Sequence, residues 1–326
     1  MSFPSFRLNN GLDIPGLGIG CWMGYVGQGE DQEVTNMVLN ALKVGYRHID
    51  TVRNERAVGI ALREAGIPRE HIFVTTKLTG EHHACVAKSL QKSLDNLGLD
   101  YVDLFLMHWP QALKENGWWE ALKPHERPTF VDTWRDMEKL LPTGKVKSIG
   151  VSNFSMKTLE VLLKEASVVP AVNQVELHPL LPQLDLLSFC SSHGILLTAY
   201  SPLGKHKPML VEHPSLQAIV QSWNEQCEIV TPAQVLLSWS AAKGIVVVPK
   251  CRDVGRMKEN MKLVNLTDVE IAALDGIHTA PGMHRSVCGF HTRVRDDSTG
   301  KETGGCFGWT YEQLGWDMME GGVMRG

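Results

Sequence analysis

Hydrophobic positions along most of this chain follow two patterns that alternate. Short apolar runs rich in β-branched residues predict buried strands. The predicted strands cover residues 16–20, 46–50, 72–78, 102–108, 146–152, 171–177, 195–200 and 245–249. Apolar residues three or four positions apart predict amphipathic helices between these strands. The predicted helices cover residues 34–44, 55–65, 86–97, 131–141, 156–164, 184–193, 231–242 and 254–263. Eight such units favour a closed (β/α)8 TIM barrel.

Two local signals refine this interpretation. Residues 6–13 resemble a small hairpin, with Asn9, Asn10 and Gly11 as its turn. An open dinucleotide-binding sheet would instead require the spacing G-x-G-x-x-G after the first strand. Gly18, Gly20 and Gly24 have one residue too many for that motif. We therefore interpret these glycines as tight-turn residues of a barrel.

Three segments interrupt the repeat. They are residues 111–128, which contain Trp118 and Trp119, residues 204–230, and the tail 277–326. The first two begin at the C-terminal ends of strands, so we expect them to overhang the active mouth of the barrel. We expect one barrel domain over residues 1–276, with the partly flexible tail packed on it through Trp309 and Trp316. The tail histidines 278, 284 and 291 lack metal-ligand spacing, so no metal site is predicted.

Bulk composition narrows the function classes. The chain has 326 residues, of which 43% are hydrophobic, and a net charge of −4. This balance offers no basic surface for nucleic acid or an anionic membrane. The start does not form a signal peptide, and no apolar run reaches the ~18 residues of a membrane span. Seven cysteines without C-x-x-C spacing indicate reduced thiols. We therefore expect a cytoplasmic protein with no obligate protein partner.

Polar residues that a buried strand would normally exclude recur where the predicted strands end. In a parallel barrel these ends meet at one rim, which carries the active site. Taken singly, Asp50 could cap a helix, Lys77 could extend its ammonium to water, and His108 could be a core histidine. Their recurrence on successive strands favours one functional site. The residues are Asp50, Lys77, His108, Ser152, Asn153, Gln174, Tyr200, Ser201 and Lys250.

Seven motifs occur in a fixed order between about residues 11 and 276. They are HIDT, VTTKL, LMHWP, GVSNF, NQVELHP, TAYSPLG, and VPK followed by R and EN. In this order and spacing the chain resembles the aldo-keto reductases. The resemblance implies a barrel that binds NADP(H) across its top. It also implies hydride transfer between the nicotinamide and a small-molecule carbonyl or alcohol.

The resemblance assigns expected roles to individual residues. The implied catalytic residues are Asp50, Lys77 and His108. The implied substrate-binding residues are Trp22, His108 and Trp109. The implied cofactor-binding residues are Asp50, Ser152, Asn153, Gln174, Tyr200, Ser201, Leu203, Lys250, Cys251, Arg252, Arg256, Glu259 and Asn260. Tyr200 should stack on the nicotinamide, and Ser201 begins the loop over the pyrophosphate.

The adenosine end of the implied site favours NADP(H) over NAD(H). Lys250 and Arg256 are cations near a helix N-terminus and suit a 2′-phosphate. Cys251 stands where the family usually has serine, which removes one hydroxyl donor. Arg252 beside it can compensate, so we expect the preference for NADP(H) to survive.

The family's fourth catalytic residue, a tyrosine, has no counterpart here. In the family, seven positions separate the catalytic Asp from the Asn that opens the next helix. Here Asn54 follows Asp50 by four positions, and no tyrosine lies between them. Tyr46 is about 13 Å back along the strand at ~3.3 Å per residue. Tyr25 follows the first strand and is at the correct end of the barrel.

Two functions therefore remain open. One is a reductase whose turnover is reduced by loss of the general acid. The other is a non-catalytic NADP(H)-binding protein, such as a sensor or accessory subunit. For the shortened link, residues 51–54, we expect Asp50 to stay inward near Lys77 because neighbouring strands hold it. We also expect a distorted first turn in the following helix and a void where the phenol would lie.

Overall fold

A short antiparallel hairpin comes before the barrel. In the computed structural model, which describes residues 3–23, 30–114, 120–226, 229–296 and 299–325, it consists of β1 (Ser5–Arg7) and β2 (Asp13–Pro15). Gly11 takes a φ of 85° in the turn, which glycine adopts without steric cost. Asn9 Nδ2 donates to the carbonyl of Pro170 (3.1 Å) and Asn10 Nδ2 donates to Ser148 Oγ (2.7 Å). The predicted hairpin is thus confirmed, and it packs against the N-terminal ends of the barrel strands.

Eight parallel strands form the central sheet, in sequential order. They are β3 (Ile19–Gly20), β4 (His48–Asp50), β5 (Phe73–Leu78), β6 (Val102–Met107), β7 (Val146–Ser152), β8 (Val172–Glu176), β9 (Leu196–Tyr200) and β10 (Val246–Val247). Backbone hydrogen bonds join the two ends of the sheet. Gly18 N donates to Val247 O (2.8 Å), Val247 N to Gly16 O (2.8 Å), and Gly20 N to Pro249 O (3.1 Å). The predicted barrel is therefore confirmed.

Helices follow most strands and cover the outside of the sheet. They are α1 (Glu30–Val44), α2 (Glu55–Ala65), α3 (Val86–Leu97), α4 (Phe130–Glu138), α5 (Met156–Glu165), α6 (Leu184–Ser192), α7 (Pro208–Val211), α8 (Pro214–Glu225), α9 (Pro232–Ala242), α10 (Val254–Asn260) and α11 (Asp268–Asp275). At the start of α9, Thr231 and Gln234 form a capping box with Pro232 in the first turn. None of the helices described is long and apolar enough to cross a bilayer.

The tail forms two small antiparallel sheets of its own, one of three strands and one of two. Its elements are β11 (His291–Arg295), β12 (Glu302–Cys306), β13 (Trp309–Thr310), α12 (Tyr311–Leu314), β14 (Met318–Met319) and β15 (Val323–Met324). Trp309 Nε1 donates to Leu122 O (2.7 Å), and Ser155 Oγ donates to Leu314 O (2.7 Å). These contacts join the tail to loops at the C-terminal ends of β6 and β7, so it lies over the barrel mouth.

Candidate active site

A buried ion pair lies at the C-terminal ends of β4 and β5. Lys77 Nζ donates to Asp50 Oδ1 at 2.6 Å, and both side chains are buried. The register explains the contact, because Asp50 pairs with Thr75 and inward-facing residues on a strand are two positions apart. Asp50 therefore lies inward near Lys77, as expected for the shortened link.

Amide and hydroxyl groups from three more strands continue this network. Gln174 Nε2 donates to Asp50 Oδ2 (2.7 Å), and Ser152 Oγ donates to the Gln174 carbonyl (2.7 Å). Asn153 Nδ2 donates to Ser152 Oγ (3.1 Å), while the Tyr200 hydroxyl donates to Asn153 Oδ1 (2.7 Å). Hydrogen bonds thus connect these five residues at one rim.

His108 lies beside this network. Its carbonyl accepts from Asn153 Nδ2 at 2.9 Å, which holds the end of β6 against β7. Burial, together with the positive charges of Lys77 and Arg53, lowers the pKa of the His108 imidazole to about 3. His108 is therefore a neutral imidazole at neutral pH.

The link between β4 and α2 turns at a single residue. Arg53 takes a left-handed φ of 64°, uncommon for a residue with a side chain, and its guanidinium pairs with Glu81. Val58 N donates to Asn54 O (3.1 Å), so the first turn of α2 is closed. The predicted distortion of that turn is wrong, because the left-handed backbone at Arg53 makes the change of direction before α2 begins. The predicted void stays a prediction.

No described tyrosine supplies its hydroxyl to Lys77. The Tyr46 hydroxyl donates to Met257 O on α10 (3.2 Å). The Tyr101 ring lies under the ammonium of Lys147, and the Tyr311 hydroxyl pairs with His291 Nδ1 (2.9 Å). Tyr200 is bound to Asn153, as described above. Tyr25 lies outside the described residues, as do Gly24, Trp118 and Trp119.

A group of cations lies where α10 begins. Lys250, Arg252 and Arg256 are all exposed. Partial burial lowers the pKa of Lys250, and the nearby charges of Arg252 and Lys205 lower it further. Arg252 also pairs with Glu33 at 3.2 Å. These like charges share one region, which is a suitable environment for an anionic ligand.

Three other residues expected to bind the cofactor lie in or next to α10, and they differ in burial. Cys251 is buried and its thiol donates to Asp253 O at 3.4 Å. Asn260 is also buried and hydrogen-bonds the Tyr46 hydroxyl. Glu259 is exposed on α10. Asn260 is thus already committed to a contact within the fold.

The loop after β9 has a strained backbone. Ser201, Lys205 and His206 have left-handed φ values of 50°, 50° and 54°, and Leu203 is buried among them. Successive backbone N–H groups in mixed left- and right-handed conformations form concave sites for anions. This loop therefore has the backbone geometry of an anion-binding site.

The two tryptophans expected in the substrate pocket have contrasting environments. The Trp22 side chain is 52% exposed. Trp109 is buried under the tail, with ring centroids 4.7 Å from Phe307, 5.1 Å from Phe290 and 5.8 Å from Trp316. Packing of Trp316 on the barrel was expected from the sequence, but Phe290 and Phe307 were missed because no periodic pattern marks them.

A buried carboxylate that the sequence interpretation missed holds the tail. Glu176, 4% exposed, ends β8. Its Oε1 accepts from Val287 N (2.7 Å) and lies 3.0 Å from His178 Nε2, while its Oε2 accepts from Ser286 Oγ. Burial by itself would raise the pKa of Glu176, but the hydrogen bonds from these three residues outweigh it and lower the pKa. A charged residue inside a buried strand was the available signal.

Comparisons with known proteins identify the family of this chain. The family model "Aldo/keto reductase family" matches residues 16–279. The chain belongs to the aldo/keto reductase family. The match covers all eight barrel strands and ends before the sheets of the tail.

Relatives in this family cover nearly the whole chain. Glycerol 2-dehydrogenase (NADP(+)) from Saccharomyces cerevisiae is 41% identical over 300 residues, which are 86% of this chain and 92% of the yeast protein. D-galacturonate reductase from Hypocrea jecorina is 42% identical over 285 residues, covering 83% and 89% of the two chains. The crystal structure of a Bombyx mori aldo-keto reductase in complex with NADP matches with a TM-score of 0.79 and 32% identity, covering 89% of this chain and 96% of that one.

Proposed function

We propose that this protein is an NADP(H)-dependent oxidoreductase that reduces aldehydes, ketones or sugar carbonyls to alcohols. The observation that carries the proposal is the buried Lys77–Asp50 pair, which Gln174 joins to the rim of polar residues around the barrel mouth. A buried ion pair costs desolvation energy and is weak support for stability alone. Its position at the catalytic end of the barrel favours a chemical role.

The surrounding residues fit a dinucleotide phosphate. Ser152, Asn153 and Gln174 offer polar groups to a carboxamide, and the Tyr200 ring offers a surface for stacking. The strained loop that begins at Ser201 and contains Leu203 suits the pyrophosphate. The cations Lys250, Arg252 and Arg256, with Cys251 and Glu259 close by in sequence, suit the 2′-phosphate and adenosine. When bound, the cofactor supplies the hydride.

The chain's own residues bind and polarise the carbonyl. The Lys77 ammonium, held by Asp50, stabilises negative charge as it develops on the carbonyl oxygen. Neutral His108 donates a hydrogen bond that orients the substrate. Trp22 offers an apolar wall at the rim, and Trp109 packs against the aromatic rings of the tail. The proposal thus assigns to this chain a reductase activity of the kind for which its relatives are named.

Steady-state NADPH oxidation with a panel of reactive aldehydes tests the proposed function. Lys77→Met keeps the length of the side chain but removes its charge, so it is the matched negative control. We expect the natural protein to exceed the variant by ~10²-fold or more. Equal rates of NADPH oxidation by the natural protein and Lys77→Met would contradict the proposed catalytic function.

A non-catalytic NADP(H)-binding role is the second candidate, and the missing tyrosine favours it. A protein without its general acid loses ~10²–10⁴ in rate. Both candidates require NADPH to bind, so binding does not separate them. Binding of NADPH with aldehyde turnover no higher than that of Lys77→Met would support the sensor or accessory role.

The cationic group predicts cofactor preference. NADPH should bind at least about tenfold more tightly than NADH, equivalent to ~1.4 kcal/mol, because Arg256 can pair with the 2′-phosphate. Arg256→Ala should reduce this difference more than it weakens NADH binding. Fluorescence titration with both cofactors measures the change. Lys258→Ala, which removes an exposed cation from another face of α10, should leave the ratio unaltered. Equal affinities for the two cofactors in the natural protein would contradict the assignment.

A further inference from the structure

The short link leaves buried polar atoms without protein partners. Thr51 Oγ1 and both amide atoms of Asn54 have none, although the two residues are 0% and 1% exposed. In the part of the chain that the structure describes, ten buried side-chain atoms share this condition. Three belong to this link, and two more, Glu81 Oε2 and His83 Nε2, belong to the loop that Arg53 contacts. Half of them therefore lie in one region.

Unpaired polar atoms at this depth are expected to bind water. Leaving a buried donor or acceptor unsatisfied costs ~1–3 kcal/mol, so most such groups in native proteins have a protein or water partner. A buried water typically makes about three hydrogen bonds to groups of this kind. Thr51 and Asn54 together offer a hydroxyl, an amide donor and an amide acceptor. The link thus has the chemistry of a water site.

The Lys77 ammonium reaches the same link. Besides Asp50 Oδ1, its only other partner among the described residues is Thr51 O, at 3.4 Å. An ammonium carries three N–H donors, so a third remains available. The unpartnered Thr51 hydroxyl thus belongs to the same residue whose carbonyl accepts from an ammonium that can give up a proton.

Other proton donors near Asp50 are poor candidates. The Cys21 thiol donates to Ile19 O (3.5 Å), and burial, followed by the charge of Asp50, raises its pKa. His108 is neutral at neutral pH because burial lowers its pKa. Among the described residues, no tyrosine hydroxyl hydrogen-bonds to Lys77.

We propose that Lys77 is the proton donor of the reduction and acts through a water held by Thr51 and Asn54. This inference rests on the proposed reductase function. The carbonyl carbon receives a hydride, with its electron pair, from the reduced nicotinamide, and the C=O π electrons move to oxygen. The resulting alkoxide takes a proton from the water as the water takes one from Lys77. Lys77 then recovers its proton from solvent, and Thr51 and Asn54 are positioning residues.

Thr51→Val tests the positioning role. The substitution keeps the shape of the side chain and removes a hydroxyl that has no protein partner, so the melting temperature should change little. We expect kcat to fall about tenfold, part of the ~10²–10⁴ that positioned proton transfer contributes, with NADPH affinity unchanged. Thr198→Val is the matched control, because Thr198 Oγ1 is also buried without a partner but lies on β9. An unaltered kcat in Thr51→Val would overturn the inference.

Chemical rescue tests the donor role. In Lys77→Ala, small primary ammonium ions should restore turnover, and 2-fluoroethylammonium should act faster than the less acidic ethylammonium of similar size. The reason is that general acid catalysis depends on the acidity of the donor. Tetramethylammonium carries the charge without a transferable proton and should not restore the rate. If the rescued rate does not depend on the acidity of the added ammonium ion, or if tetramethylammonium restores the rate equally well, Lys77 supplies only charge.

A high-resolution crystal structure provides a readout that is independent of activity. We expect a water ~2.6–3.2 Å from Thr51 Oγ1 that disappears in Thr51→Val. No water at that position would overturn the inference. If the natural protein has no turnover above Lys77→Met, the proposed function fails and this inference fails with it. Normal turnover in Thr51→Val, with acidity-independent rescue, rejects the water relay alone.

Discussion

Inserting three residues after Thr51, so that a tyrosine follows Asp50 by five positions, should raise aldehyde turnover ~10²-fold or more. The inserted residues restore the family's spacing, and the phenol regains its place as general acid beside Lys77. The longer link also removes the need for the left-handed backbone at Arg53. Steady-state NADPH oxidation with reactive aldehydes measures the gain.

The matched control carries the same insertion with phenylalanine in place of tyrosine. It restores length and fills the same volume, but it supplies no acidic proton. We expect its turnover to stay at or below that of the natural protein. If the tyrosine insertion binds NADPH but leaves turnover unchanged, the missing acid does not limit this protein, and the account of its active site is wrong.

Glu176→Ala should release the tail from the barrel mouth. The substitution leaves the Ser286 hydroxyl, the Val287 N–H and the His178 imidazole without their shared acceptor. Removing one member of a buried charge-assisted network costs about 3 kcal/mol in the free energy of unfolding. Limited proteolysis should then cut the tail more rapidly, and denaturant unfolding gives the loss of stability.

Glu165→Ala provides the comparison, because Glu165 pairs with Arg135 on the exposed surface and such pairs contribute only ~0–1 kcal/mol.

Lowering the pH should have the same effect on the tail as Glu176→Ala. The folded-state pKa of Glu176 is lowered, so its contribution is complete above its unfolded pKa of roughly 4.3. That contribution is lost as the pH falls through the folded pKa. A tail in Glu176→Ala that resists protease as well as the natural tail does would contradict this role.

The barrel could be predicted from the sequence because its strands and helices each carry a local signal. Thr231, Pro232 and Gln234 mark the start of α9 in the sequence, and the structure has a capping box there. The start of α11 has the same signal at Thr267 and Glu270, which the sequence interpretation passed over. Pro208 and Pro214 similarly mark the starts of α7 and α8.

The tail sheets and the link could not be predicted in detail. β12 contains Gly304 and Gly305, where an added Cβ would lie 2.4 Å from the Tyr311 ring and 2.1 Å from Trp309 O. Its sequence therefore has the composition of a loop, although close backbone packing requires those glycines. In the link, the sequence showed that residues were missing. It did not show that Arg53 would absorb the turn, because that choice depends on how firmly β4 and α2 are packed.

The hydrogen bonds that close the barrel also set the order in which the molecule can be completed during synthesis. Gly16 and Gly18 pair with Val247, near the end of the barrel sequence. At ~5–20 residues per second, a ribosome needs on the order of tens of seconds to make the intervening chain. Throughout that time β3 has one unpaired edge, which is a template for non-native pairing. We therefore expect closure of the barrel to be a late step, completed only after β10 has been made.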